Sequence, residues 1–309
     1  MSEPRLVRAI EPADDVLEIG HGASVRDMRL TLGKVLAAAR VDEPEREARD
    51  LIAAVAGKPR LWPPLHPDVV LDEPVVMSLR EAVVRRARGA PFAYAVGRAA
   101  FRYLTLVVDE RVLIPRQETE VLVEGVLEWA AGHGAGGLAI DVGTGSGAIA
   151  LALANEGTFD RVIGTDVSLG AVRVARDNAE RLAGVLRAPV EVRHGSLCSP
   201  VRGERARVVV SNPPYVAYRE MKELPPGVRD WEPPVALYAP DGGMAVIAAL
   251  AREAVDVLEP GGLLAMEIDC RRGTACADLL RAQGSYHDIR VRPDLTGRDR
   301  VLTAIRQDG

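Results

Sequence analysis

The sequence predicts an α/β fold: a mainly parallel, doubly wound sheet preceded by a small all-helical domain. Three observations carry that expectation. After Gly137 apolar strand-like runs alternate with amphipathic helical ones, the signature of a parallel sheet wound by right-handed crossovers. The first ninety or so residues show helical periodicity without strands. With 309 residues the chain exceeds the roughly 250 at which a single core stops growing, so two domains are expected.

Taken in order, Ser24 and Asp27 make a capping-box pattern ahead of an amphipathic run through Met28, Leu32, Val35 and Leu36. Pro44 opens a second helix that Gly57 closes. Pro63, Pro64 and Pro67 interrupt the pattern, and a third helix from about Glu73 to Arg88 stops at Gly89. Residues 1–90 are therefore expected to form a helical domain. From Ala93 to Val108 aromatic and β-branched residues surround Gly97 and read as a two-stranded hairpin, giving a linker over residues 91–110. Residues 111–309 form the second domain. It starts with a helix at Gln117–Gly132, followed by strand Leu138–Val142, helix Ala148–Asn155, strand Arg161–Asp166, helix Leu169–Arg181, and strands Val190–His194 and Ala206–Ser211. A helix at Met244–Leu258, a strand at Leu263–Ile268, a helix near Thr274–Gln283 and two closing strands, His287–Arg292 and Arg300–Ile305, complete it.

Composition narrows the function classes. Hydrophobic residues at 48% and charged ones at 27% describe an ordinary globular chain. No apolar run is long enough to span a bilayer, and Met1–Gly20 carries scattered acids without the apolar core of a signal peptide, so a cytoplasmic, non-membrane protein is expected. Cys198, Cys270 and Cys276 form no C-x-x-C pair and the five histidines no ligand pattern, so no metal is expected. A net charge of −5 argues against a broad phosphate-binding face, and a monomer without a direct nucleic-acid partner is anticipated.

The strand Leu138–Val142 runs through Asp141 into Gly143-Thr144-Gly145-Ser146-Gly147 and then a helix. Glycines there let the backbone turn sharply and admit a ligand at the helix N-terminus, whether a dinucleotide or S-adenosyl-L-methionine; tight packing alone is the third reading. Asp166 ends the next strand, where an acid accepts bonds from two ribose hydroxyls in either ligand class; a capping role for the following helix is its plainer alternative. The strand Ala206–Ser211 ends in Asn212-Pro213-Pro214-Tyr215. Two prolines make this a rigid turn, in which the Asn212 side-chain oxygen and the Pro213 carbonyl can hold both hydrogens of an NH₂ group. That geometry aims the nitrogen lone pair at an electrophilic carbon, and Tyr215 can pack its ring on a flat amide or base. Joined to the acid-glycine entry, the tetrapeptide favours an S-adenosyl-L-methionine-dependent methyltransferase acting on a planar nitrogen.

These motifs, together with Val112-Leu113-Ile114-Pro115-Arg116-Gln117-Glu118-Thr119-Glu120, Trp231-Glu232-Pro233 and Gly297-Arg298-Asp299-Arg300, resemble the HemK (PrmC) family of peptide chain release factor glutamine N5-methyltransferases. The resemblance covers roughly residues 75–305 and matches the order of domains. It implies a Rossmann-like class I methyltransferase sheet of seven strands with the last antiparallel. It also implies a helical domain that docks substrate, and class I release factors as partners, modified at the glutamine of their Gly-Gly-Gln loop. By the same resemblance Arg116 touches the cofactor and Leu197 lies near its adenine, in a Gly195-Ser196-Leu197 segment where the family often carries an acid or tryptophan. Arg207 stands where the family frequently has aspartate. For Arg116 and Glu118 a loop ion pair is the plainer reading; for Phe101 it is a core position rather than one over the cofactor. Nucleic-acid and small-molecule amino methyltransferases use the same Asn-Pro-Pro-Tyr geometry and remain open rivals, as does a cofactor-binding protein without catalysis.

Overall fold

The computed structural model describes residues 22–308, so the expectation drawn from Met1–Gly20 lies outside the described residues. The chain divides between Gly97 and Arg98 into two compact units.

In the first unit the capping box forms: the Ser24 hydroxyl accepts from the Asp27 N–H and the Asp27 carboxylate accepts from the Ser24 N–H, both at 3.2 Å. Helices α1 (Val25–Ala38), α2 (Pro44–Val55) and α4 (Glu73–Ala87) pack with the short α3 (Trp62–Leu65) and α5 (Phe92–Val96). The residues at i, i+4 spacing that the sequence marks, Met28, Leu32 and Leu36, meet Leu51, Ile52, Leu79 and Val83 in a core of their own. Residues 93–96 depart from the expected hairpin: they are α5, closed by Gly97 at φ 70°.

The second unit begins with the hairpin itself, β1 (Arg98–Phe101) and β2 (Leu104–Val107). After α6 (Gln117–Gly132) come β3 (Leu138–Val142), α7 (Ala148–Glu156), β4 (Arg161–Asp166), α8 (Leu169–Leu182), β5 (Val190–His194) and β6 (Ala206–Ser211). A segment with strands β7 (Val216–Ala217) and β8 (Tyr238–Ala239) and helices α9 (Pro226–Arg229) and α10 (Pro234–Leu237) precedes α11 (Ala245–Val257), β9 (Leu258–Glu267), α12 (Gly273–Gln283), β10 (Tyr286–Pro293) and β11 (Asp299–Arg306). Seven strands form one sheet in the order β10-β11-β9-β6-β3-β4-β5. β11, the last in sequence, runs antiparallel to both neighbours, and β3, β4, β5, β6 and β9 are parallel. Strand order reverses at β3, which pairs with β4 on one side and β6 on the other. In such sheets the crevice outside the carboxyl ends of the switching strands is where ligands bind. The sheet's central strands are buried on both faces, as a parallel sheet covered by helices requires. Among the described residues no helix is long and apolar enough to cross a membrane.

Candidate active site

A cavity of about 440 Å³ opens at that switch point, entirely within the second unit, between the turns that follow β3, β4, β5 and β6. Gly143 and Gly145 stand at φ 75° and 55°, and a Cβ at either would meet nothing within 4 Å. Glycine is thus demanded by backbone conformation, and the open space beside it is the cavity. Behind the turn, the fully buried Asp141 accepts from the Thr144 hydroxyl at 2.7 Å and the Ala150 N–H at 3.1 Å, tying the turn to the first turn of α7. Burial pushes its carboxyl up to about 7, against the pull of those two donors.

Asp166 faces the cavity from the end of β4, its oxygens accepting from the Gly145 N–H at 2.9 Å and the Ser168 N–H at 2.8 Å. Burial raises its pKa while these backbone donors oppose the rise. The helix cap falls instead to Ser168, whose hydroxyl accepts from the Ala171 N–H. Arg116 lines the opposite side and donates to Glu232 at 2.6 Å. Glu232 is buried; desolvation raises its pKa, and Arg116 and the Ile114 N–H oppose that shift. The loop ion pair and the cavity position of Arg116 are therefore one feature, with Glu232 joining the Ile114–Arg116 loop to the Pro233–Pro240 rim.

Asn212, Pro213 and Pro214 line the cavity at the end of β6, beside Gly143–Ser146. The Asn212 Nδ2 donates to the Thr119 hydroxyl at 3.0 Å, and Thr119 donates to Glu267 at 2.6 Å. Leu197 and Ser196 lie on the wall after β5, with the Leu197 carbonyl held by the Thr165 hydroxyl at 2.9 Å.

Of the site residues expected from sequence, Gly143, Thr144, Gly145, Ser146, Asp166, Leu197, Arg116, Asn212, Pro213 and Pro214 share this one cavity. Gly147, Tyr215 and Phe101 do not line it. Gly147 caps α7 at φ 84°, where an added Cβ would meet Leu151 Cδ1 at 3.0 Å. Phe101 is 1% exposed, a core side chain of the hairpin. The Tyr215 hydroxyl donates to Glu267 at 3.0 Å, which ties the turn to the end of β9, and burial raises its pKa. Glu118 is exposed and stands outside the lining. Thr119, which also lines the cavity, entered the sequence reading only as part of the Val112–Glu120 motif, and neither it nor Glu267 nor Asn178 was given a role in the site. Glu267 had a usable signal, a lone acid closing an apolar strand. Asn178 links the Val107 backbone to the Ser146 carbonyl and looks in sequence like any polar helix residue.

Fold and site together define a methyltransferase of the doubly wound α/β class, with a glycine turn, an acid and a rigid Asn-Pro-Pro turn around one cavity. Family models describe residues 30–97 as a PrmC N-terminal domain and residues 117–224 as a methyltransferase small domain. The release factor glutamine methyltransferase of Moorella thermoacetica is 40% identical over 286 residues, 91% of this chain and 99% of that one. Its counterpart from Caulobacter vibrioides is 36% identical over 286 residues, 90% and 98% of the two chains. This chain belongs to the release factor glutamine methyltransferase family. A solved methyltransferase from Pyrococcus furiosus shares the fold at a TM-score of 0.50 and 19% identity, over 66% of this chain and 89% of that one.

Proposed function

We propose that this chain transfers the methyl group of S-adenosyl-L-methionine to the side-chain amide nitrogen, N5, of the glutamine in the Gly-Gly-Gln loop of class I peptide chain release factors. One observation carries the reading: Asn212-Pro213-Pro214 lines the same cavity as the open Gly143–Gly145 turn and Asp166. The cavity fits the cofactor, because the glycine turn leaves space where any Cβ would intrude and an acid stands where ribose hydroxyls need an acceptor. Gly143–Ser146 would hold its amino-acid part, Asp166 its ribose, Ser196 and Leu197 its base, and Arg116 its exposed side. Bound there, it supplies an electrophilic methyl group on a sulfonium.

The protein's own residues do the rest by positioning. The Asn212 oxygen and the Pro213 carbonyl accept the two N5 hydrogens and turn the nitrogen lone pair toward the methyl carbon. Both bonds strengthen as N5 gains positive charge, so they favour the transition state over the ground state. The methyl group that the cofactor would supply from its sulfonium would then be in line with the N5 lone pair, and N5 would lose one proton to water on accepting it. No covalent enzyme intermediate is needed. The first unit, residues 1–97, serves as the docking element for the protein substrate, and the enzyme acts as a cytoplasmic monomer without nucleic acid.

The test is labelled methyl transfer to purified release factor, with DNA and RNA in parallel, followed by mass spectrometry of the modified tryptic peptide. Label on the loop glutamine is expected. Label on a nucleic-acid base, or none on protein, would overturn the assignment.

A further inference from the structure

We propose that Thr119 and Glu267 form a positioning relay behind Asn212 that fixes which edge of its amide faces the acceptor nitrogen. This rests on the reading of Asn212 as the acceptor of a substrate N–H.

Three elements converge here. Asn212 follows β6, Glu267 ends the adjacent β9, where Ser211 and Met266 are register partners, and Thr119 lies in the first turn of α6. Glu267 is 1% exposed and Thr119 4%, so bulk water does not replace their partners. The chain of hydrogen bonds has one permitted direction. Burial raises the Glu267 pKa, while the Thr119 and Tyr215 hydroxyls and Arg300 oppose the rise; with both hydroxyls aimed at its two oxygens Glu267 is the acceptor, so the single Thr119 proton is committed to it at 2.6 Å. The Thr119 oxygen is then left to accept, and what it meets at 3.0 Å must be the NH₂ edge of Asn212. With Nδ2 held there, Oδ1 is the edge left for the substrate. Turned over, Asn212 would set its own NH₂ against the substrate's NH₂, donor against donor.

Tyr215 adds the second anchor, donating to the other Glu267 oxygen at 3.0 Å. Both ends of the Asn-Pro-Pro-Tyr turn therefore hang on one buried carboxylate. A negative charge at the far end of such a chain also polarises it, making Oδ1 a stronger acceptor as N5 becomes positive and its proton acidic. Thr119 borders the cavity, but its hydroxyl is committed to Glu267 and Asn212, so the effect of the pair belongs in turnover and not in ground-state affinity.

The experiment compares Thr119→Val, Thr119→Ser and Glu267→Gln in the full-length enzyme. Each is measured for kcat and KM on release factor, for cofactor affinity by calorimetry, and for Tm. Thr119→Val is expected to lower kcat roughly 10- to 100-fold, the scale of losing a group that orients a reacting one, with KM and cofactor affinity within about twofold. Thr119→Ser, which keeps the hydroxyl, should recover to within about threefold of wild type. Glu267→Gln keeps the shape without the charge; it should lower kcat in the same way and decides the matter if Thr119→Val does not fold. Unchanged kcat in the folded variants, a loss confined to KM or cofactor affinity, or no recovery in Thr119→Ser would overturn the relay. If Asn212→Ala is inactive while Thr119→Val and Glu267→Gln are normal, the relay fails and the proposed function stands. A wild-type enzyme that leaves release factor unmethylated overturns both.

Discussion

Asp166 and Asp141 both hydrogen-bond to the same glycine turn yet differ in what they do. Asp166 already takes two backbone N–H groups and still borders the cavity. Asp166→Ala is therefore expected to weaken cofactor binding by on the order of 2 kcal/mol, since the proposed charge-assisted bonds to two hydroxyls would disappear. Calorimetric affinity unchanged within about twofold would remove Asp166 from the site. Asp141 is fully buried behind the cavity and does not line it, but its titration bears on stability. Its folded pKa of about 7 lies above its ordinary 3.8, so the folded state binds the proton more tightly. Its contribution is then fully present below the unfolded value and lost as pH rises through the folded one. The Tm difference between wild type and Asp141→Asn should accordingly shrink or reverse between about pH 4 and pH 7, and parallel Tm curves would show that Asp141 does not titrate there. At this scale the sequence was most informative where backbone conformation forces the residue type, as at Gly143 and Gly145, and it also named Asp166 and Asn212, which line the same cavity. Phe101, Tyr215, Thr119 and Glu267 were harder to read, because a buried aromatic or a buried acid acquires its role only from partners far along the chain.

Elements were legible in proportion to their length. The strands from Leu138 to Ser211 and the helices between them carry full apolar periods, so their ends fall within a residue or two of expectation. Segment 216–243 did not declare itself. Its helices α9 and α10 have four residues each and its strands two, too few for any period, and prolines punctuate them. Yet this segment supplies Pro233, Val235, Ala236, Tyr238 and Pro240 to the cavity wall. Arg272, at the start of α12, fastens it by donating to Glu220 at 2.6 Å and to the Gly242 carbonyl at 2.7 Å. Gly243 closes it against the acceptor turn: φ is 93°, and a Cβ would lie 2.2 Å from the Tyr215 carbonyl oxygen. Because that neighbour is backbone, nothing can rotate away. Gly243→Ala should cost about 2 kcal/mol or more and lower turnover along with Tm, through displacement of the Asn-Pro-Pro-Tyr turn. A variant with wild-type Tm and rate would show that the rim and the turn move independently.

For the molecule as a whole, one departure from the family pattern turns out to lie away from the chemistry. Arg207 sits early in β6 and donates to the carbonyls of Ala130 and Gly136, each at 2.9 Å, with its guanidinium 5.5 Å from the Trp129 ring centroid. It fastens the C-terminal end of α6, whereas the cavity lies at the other end of the strand. The proposed division of labour between the two units leads to the last prediction. Every residue lining the cavity falls between Arg111 and Ala249, while the first unit has a separate core around Leu32, Leu51 and Leu79. A fragment of residues 98–309 should therefore keep cofactor affinity within about threefold of the full chain, since it retains every group proposed to hold that ligand. Its kcat/KM on intact release factor should fall by roughly 100-fold or more, because remote binding energy that orients the loop glutamine is gone. A short synthetic peptide carrying the Gly-Gly-Gln sequence, too small to use a docking surface, should be methylated equally slowly by fragment and full chain. That comparison separates docking from damage to the catalytic unit. If the folded fragment modified intact release factor at the full-length rate, the first unit would have no docking role; if it lost the peptide activity as well, the first unit would be needed to hold the site itself.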